Sequence, residues 1–139
     1  MKSYIHKVHY YETDKMGIVH HSNYIKWLEE ARVEMMKDMG YSFKKLEESG
    51  IFSPVLSYTI EIKHSSTFDD DVEIIPYIKS YNSVRLEVEY ELKVDDKLIA
   101  TANTKHCFTN AEGIPLRLNK SMPGLDDRLK KEFNKFDNV

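Results

Sequence analysis

The chain predicts an α+β protein, one long helix laid across one face of a curved, mostly antiparallel sheet of five or six strands. Three observations carry this. Between His21 and Gly40 apolar residues recur every three to four positions, and from Val84 to Val94 they alternate strictly with charged ones. From Pro54 onward, further extended runs are separated by turns built on Asp, Asn and Gly.

Taken in order, Lys2 to Tyr11 alternates loosely, with Tyr4, His6, Val8 and Tyr10 against Ile5, Lys7, His9 and Tyr11. This suits a first strand with His6 and His9 on opposite faces. In the helix that follows, Tyr24, Leu28, Ala31, Met35 and Met39 form the apolar stripe and Lys26, Glu30, Glu34 and Lys37 the wet side. Ser22 or Asn23 can supply the N-cap oxygen, Gly40 stands at the left-handed position past the end, and Lys37 complements the dipole in the last turn. Trp27, with Tyr24 and Met35, reads as core, and Glu29 and Arg32 as a pair on the helix surface.

Ser42 to Glu48 reads as a short second helix with Phe43 and Leu46 as its apolar points. Beyond Pro54, Tyr58, Ile60 and Ile62 alternate with Thr59, Glu61 and Lys63 within an extended region from Val55 to Thr67. Asp69-Asp70-Asp71 is a solvated turn. Val72 to Tyr81 is a strand in which Pro76 implies an edge or a bulge. Asn82-Ser83 turns the chain into the strand Val84 to Val94, and Asp95-Asp96-Lys97 turns it back into Leu98 to Phe108, where Ala100 and Ala102 leave room for a helix. Asn110 to Pro115 is a turn, and Arg117 to Pro123 is irregular. Leu125 to Phe136 is a charged, weakly amphipathic helix whose last residues fray, so that 120–139 forms a peripheral helix and tail.

At 139 residues the chain suits a single domain over 1–139. A net charge of −3 with 31% charged residues describes an ordinary soluble surface, with no field that draws nucleic acid or an anionic membrane. The single Cys107 has no internal disulfide partner and reads as a buried strand thiol, and no stretch serves as a signal peptide or membrane span. Cytoplasmic residence is the expectation. The six histidines show no zinc-type spacing, so no metal is expected.

Chemistry concentrates just before the long helix. His20, His21 and Ser22 stand at its N-terminus, where main-chain N–H groups lack intrahelical partners and polarise a carbonyl oxygen. Asp14 lies upstream across a turn containing Gly17, from which the carboxylate can fold back toward the same point. An acid facing an oxyanion site is a hydrolytic pair.

Tyr10, Thr13-Asp14, Gly17, Val19, His21, Asn23-Tyr24, Glu29 and Ala31-Arg32, in that order, resemble the signature of hotdog-fold acyl-CoA thioesterases of the 4-hydroxybenzoyl-CoA thioesterase and YbgC-like type. The resemblance covers about Tyr4 to Phe108. It implies a hotdog fold and hydrolysis of an acyl-CoA thioester to a free acid and CoA. Asp14 would be nucleophile or general base, the His21 main-chain N–H would meet the thioester carbonyl, and Tyr10 and the His21 side chain would assist. Gly17, Val19, Asn23 and Tyr24 would shape the substrate site. Coenzyme A would be part of the substrate rather than a cofactor, and the protein a homo-oligomer, dimer at least and commonly tetramer, with active sites between subunits.

Some relatives carry several basic residues at the hairpin before the fourth strand, whereas this chain has Asn82-Ser83-Val84 there, with Lys79 and Arg85 nearby as candidate phosphate contacts or plain solvated charges. That departure leaves acyl-carrier protein open as the thioester's carrier. The rival readings are a non-catalytic acyl-CoA or acyl-ligand binding module of the same fold and a hotdog dehydratase, whose histidine and acid pattern is not found.

Overall fold

The computed structural model describes residues 2–137. In chain order it contains β1 (Tyr4–Lys7), a 3-10 turn (Tyr10–Glu12), α1 (Ser22–Asp38), α2 (Phe43–Glu48), β2 (Val55–Ile62), β3 (Asp71–Tyr81), β4 (Arg85–Val94), β5 (Lys97–Cys107), α3 (Leu118–Ser121) and α4 (Pro123–Asp137). The strands make one sheet in the order β1-β3-β4-β5-β2, every pair antiparallel.

α1 buries Tyr24, Trp27, Leu28, Ala31, Met35 and Met36. They meet the inward side of the sheet, where Val72, Ile74, Ile78, Leu86, Val88, Tyr90 and Leu92 are buried by the alternation read from the sequence. Each such side chain contributes about 1.5 to 3 kcal/mol by leaving water. Gly40 has φ +88° and terminates α1 as expected, its N–H donating to the Lys37 carbonyl at 2.9 Å. The N-cap differs from the sequence reading. His21 occupies that position without a side-chain cap bond, and the Ser22 N–H donates instead to His20 Nδ1 at 3.2 Å.

Other boundaries shift for identifiable reasons. The first strand stops at Lys7, because the chain then leaves the sheet and coils into the 3-10 turn. Period-two alternation no longer applies past that point, and the His6 and His9 rings meet at 5.5 Å instead of facing apart. Pro76 is tolerated because β1 pairs β3 only from Asp71 to Ile74, leaving that side of β3 open at the proline, and a bulge follows between Ile78 and Ser80. Residues expected to be irregular after Arg117 contain α3, anchored by the wholly buried Leu118 and its N–H bond to the Ser83 carbonyl at 2.9 Å. Cys107 is half-buried rather than buried.

The charged C-terminal helix is docked through Leu125 and Leu129, both wholly buried. The Asp126 carboxylate accepts from Ser83 Oγ at 2.6 Å and from Tyr81 Oη, and pairs with Lys130 at 3.0 Å. The expected fraying of the last residues lies outside the described residues. β2 is an edge strand that exposes Val55, Leu56, Tyr58 and Ile62.

Candidate active site

Backbone pairing organises the stretch from Tyr10 to Tyr24 as a small hairpin leaning on α1. Thr13 bridges Val19, the Asp14 N–H donates to the Ile18 carbonyl at 2.8 Å, and the Gly17 N–H donates to the Asp14 carbonyl at 3.0 Å. Gly17 closes the turn at φ +80°, a conformation that carries a steric penalty for any residue with a Cβ. Asp14 is thereby folded back along the segment that enters the helix. Its carboxylate is half-buried, and Oδ1 accepts the Met16 N–H at 2.8 Å. Val19 is buried, and its N–H donates to the Ser66 carbonyl at 2.8 Å, fastening the hairpin to the segment before β3.

The helix tip offers one free donor. The His20 N–H goes to the Glu12 carbonyl at 2.8 Å, Ser22 to His20 Nδ1, Asn23 to the His20 carbonyl at 3.0 Å and Tyr24 to the His21 carbonyl at 3.3 Å. Among the described residues, the His21 N–H has no such partner. The His21 ring is exposed and stacks on His20 with centroids 4.3 Å apart. Tyr10 is 76% exposed, its ring edge-on to Phe68 at 5.6 Å.

Asn23 and Tyr24 are both buried and hydrogen-bonded into the frame of the hairpin. Asn23 Nδ2 donates to the carbonyls of Glu12 at 2.9 Å and His20 at 3.3 Å, and the buried Tyr24 hydroxyl lies 3.0 Å from Ser66 Oγ. Lys79 and Arg85 are not brought to Asp14 within one chain. β3 begins at Asp71, close after the Ser66–Thr67 segment that holds the hairpin. Eight residues further on, Lys79 is about 26 Å away at the strand's rise, paired with Glu89 at 2.9 Å. Arg85 opens β4 at the same far end.

Glu12 is the residue that sequence reading missed. Its carboxylate is 5% exposed, and Oε1 lies 2.8 Å from His6 Nε2 and accepts the His9 N–H at 2.8 Å, while Oε2 accepts Trp27 Nε1–H at 2.7 Å. Burial alone would push this acid's pKa up, but the bonds from His6, the His9 amide and Trp27 outweigh it and hold the carboxyl below its ordinary range. The available signal was Trp27 on the inward stripe, since a buried indole N–H needs an acceptor. His6, His9 and Glu12 place potential ligand atoms within 4.8 Å of one another, a convergence that the one-strand reading excluded. In the structure, the two Glu12 oxygens are occupied by hydrogen bonds.

A second group lies under the middle of α1. Arg32 is 3% exposed rather than on the surface, with Nη1 3.4 Å from the Ser53 carbonyl and 3.3 Å from Ser53 Oγ, and its guanidinium over the Phe43 ring at 5.0 Å. It lines a groove of about 680 Å³ between α1, α2 and the loops before β2 and after β5, and an adjoining cavity of about 110 Å³ bounded by Tyr90, Thr104 and His106.

Comparison with known proteins identifies the family and the fold. The family model described as the thioesterase-like superfamily matches residues 8–133. A protein of Aquifex aeolicus with a provisional esterase name is 36% identical over 105 residues, covering 76% of this chain and 82% of its own. The acyl-CoA thioester hydrolase YbgC of Escherichia coli O157:H7 is 31% identical over 80 residues, 58% of this chain and 60% of its own. Among solved structures, the DHNA-CoA thioesterase of Staphylococcus aureus superposes with a TM-score of 0.92 at 28% identity, covering 98% of this chain and 92% of that one.

Proposed function

The chain belongs to the thioesterase-like superfamily of hotdog-fold enzymes, and from that premise we propose that it hydrolyses an acyl-CoA thioester to the free acid and CoA. One observation carries the reading: the turn pairs Asp14 with Ile18, three residues ahead of a helix tip whose His21 N–H alone is left without a partner among the described residues. The thioester carbonyl would accept that N–H as its oxygen gains charge. The Asp14 carboxylate would either attack the carbonyl carbon, expelling CoA as a thiolate that takes a proton and leaving a mixed anhydride for water to open, or draw a proton from an attacking water. Tyr10 and the His21 ring, both solvent-facing, would contact the substrate on the open side.

The reading includes an assembly. β2 presents Val55, Leu56, Tyr58 and Ile62 on an unpaired edge, the feature a second copy would cover by continuing the sheet. Lys79 and Arg85 would then serve CoA phosphates only from another subunit. Replacing both with alanine would raise KM for an acyl-CoA more than for the matching acyl-pantetheine, and an equal effect on the two would remove them from the site. No metal or cofactor is needed by this chemistry. Residence in the cytoplasm belongs to the proposal as well; no helix of the described residues is long and apolar enough to cross a membrane.

The test is thiol release from a panel of acyl-CoAs by the wild type and by Asp14→Asn, which keeps size and removes charge. The variant is expected to lose about 100-fold or more in kcat. Near wild-type turnover would overturn the role of Asp14. Tight binding by the wild-type protein without release would favour the non-catalytic acyl-ligand module, and release from acyl-carrier protein alone would change the carrier.

A further inference from the structure

The groove and cavity beside Arg32 have a polarity that the thioester chemistry does not use. Arg32 is almost fully buried, yet no carboxylate among the described residues comes within ion-pair distance of it. Its polar contacts are the two long ones to Ser53. Glu29, one helical turn back, lines the same groove and cavity and acts on the guanidinium from beyond ion-pair distance. A buried cation with no hydrogen-bonded counter-charge is costly to keep.

The neighbouring groups are also rich in donors. Tyr90 Oη lies 2.8 Å from Thr104 Oγ1, which lies 2.7 Å from His106 Nε2, and all three side chains are buried. Burial, reinforced by the charge of Arg32, lowers the His106 pKa to about 3, so the ring is neutral and carries one N–H. Three protons thus serve two hydrogen bonds; when Nε2 donates, the Tyr90 hydroxyl proton is left over, and when Nε2 accepts, the spare proton is the Nδ1–H on the Pro54 side. His106 Nδ1 has no hydrogen-bond partner, the Pro54 carbonyl lying near the ring but outside hydrogen-bond geometry.

We infer that this cavity is a subsite for an acceptor oxygen, above all a carboxylate, at the far end of the substrate's acyl group. The substrate class is then an acyl-CoA with a second acid or comparable acceptor on its acyl part, in place of a plain hydrocarbon acyl-CoA. The inference rests on the acyl-CoA reading for the identity of the ligand. The position fits: Ile25, on the cavity wall, is about 5 Å along α1 from Ser22 at the helix tip. Arg32 lines the same cavity as Ile25. A volume of about 110 Å³ is the room that roughly three or four waters take in the liquid, which suits a carboxylate.

The test compares ω-carboxyacyl-CoAs of increasing length with plain acyl-CoAs of the same length, by kcat/KM for thiol release and by calorimetric binding. At the optimal length the carboxylated member is expected to be favoured about 10- to 100-fold. That ratio should fall toward one in Arg32→Met and decrease in Tyr90→Phe. Should Arg32→Met fail to fold, Tyr90→Phe, which keeps the ring, and the wild-type ratio still decide. Equal kcat/KM for the two series at every length would overturn the subsite and leave the hydrolase standing. Absence of thiol release together with tighter binding of the carboxylated series would overturn hydrolysis and support the subsite, whereas equal binding without release would overturn both.

Discussion

Glu12 joins three parts of the chain that would otherwise move independently: β1 through His6, the 3-10 turn through the His9 amide and α1 through Trp27. Its main-chain carbonyl takes the His20 N–H and the Asn23 amide, so it also sets the entry of α1. Glu12→Gln exchanges an acceptor for a donor against donors already in place, and should cost about 2 to 4 kcal/mol in urea unfolding. The pH dependence has a definite sign. The native carboxyl titrates below its unfolded value of about 4.3, so its stabilisation is complete above that pH and is lost as pH falls through the lower native value. The difference between wild type and Glu12→Gln should therefore shrink toward acid, and a constant difference from neutral pH to acid would assign the effect to shape alone. Because both Glu12 oxygens are hydrogen-bonded, chelator treatment is expected to leave thiol release unchanged; loss of activity restored by a divalent ion would make His6, His9 and Glu12 a metal site.

At the scale of elements, the hairpin that carries Asp14 depends on one backbone conformation. Gly17 has open space around an added Cβ, so Gly17→Ala meets no clash and isolates the strain of φ +80°. A loss of about 1 kcal/mol follows from that strain, with a fall in kcat larger than the change in KM as Asp14 loses its register; unchanged kcat would uncouple the turn from the chemistry. α4 is held differently, by Asp126 under Tyr81 and Ser83. Asp126→Ala leaves those buried hydroxyls without their acceptor and should cost about 2 to 3 kcal/mol, read as faster hydrogen exchange in α4 before the sheet opens. Exchange rising uniformly across the chain would show that α4 is no separate unit.

For the whole molecule, the edge strand decides assembly. Tyr58 and Ile62 are 55% and 46% exposed in one chain, so the double change Tyr58→Lys with Ile62→Lys removes little from its core and places charge on the seam. The expected result is a folded monomer by light scattering with greatly reduced thiol release. A wild-type protein that is already monomeric, or a fully active monomeric variant, would rule out a site shared between subunits.

The sequence by itself determined the layers, because periods of two and of three to four residues report which side of each element meets the core. The stripe of α1, the alternation of β4 and the Gly40 terminus are all where those periods put them. The turn at Gly17 that pairs Asp14 with Ile18 was legible because local geometry is written in neighbouring residues. Tertiary structure alone decided what lies between elements. Glu12 and Arg32 look like ordinary surface charges in the sequence, yet both are buried by contacts with residues far along the chain, Glu12 under Trp27 and Arg32 beside Ser53. Lys79 and Arg85, the candidate phosphate contacts, lie near each other at one turn, a strand's length along β3 from its start at Asp71. Periodicity gives the side that a residue faces, but the distance between two residues is set by how the elements pack.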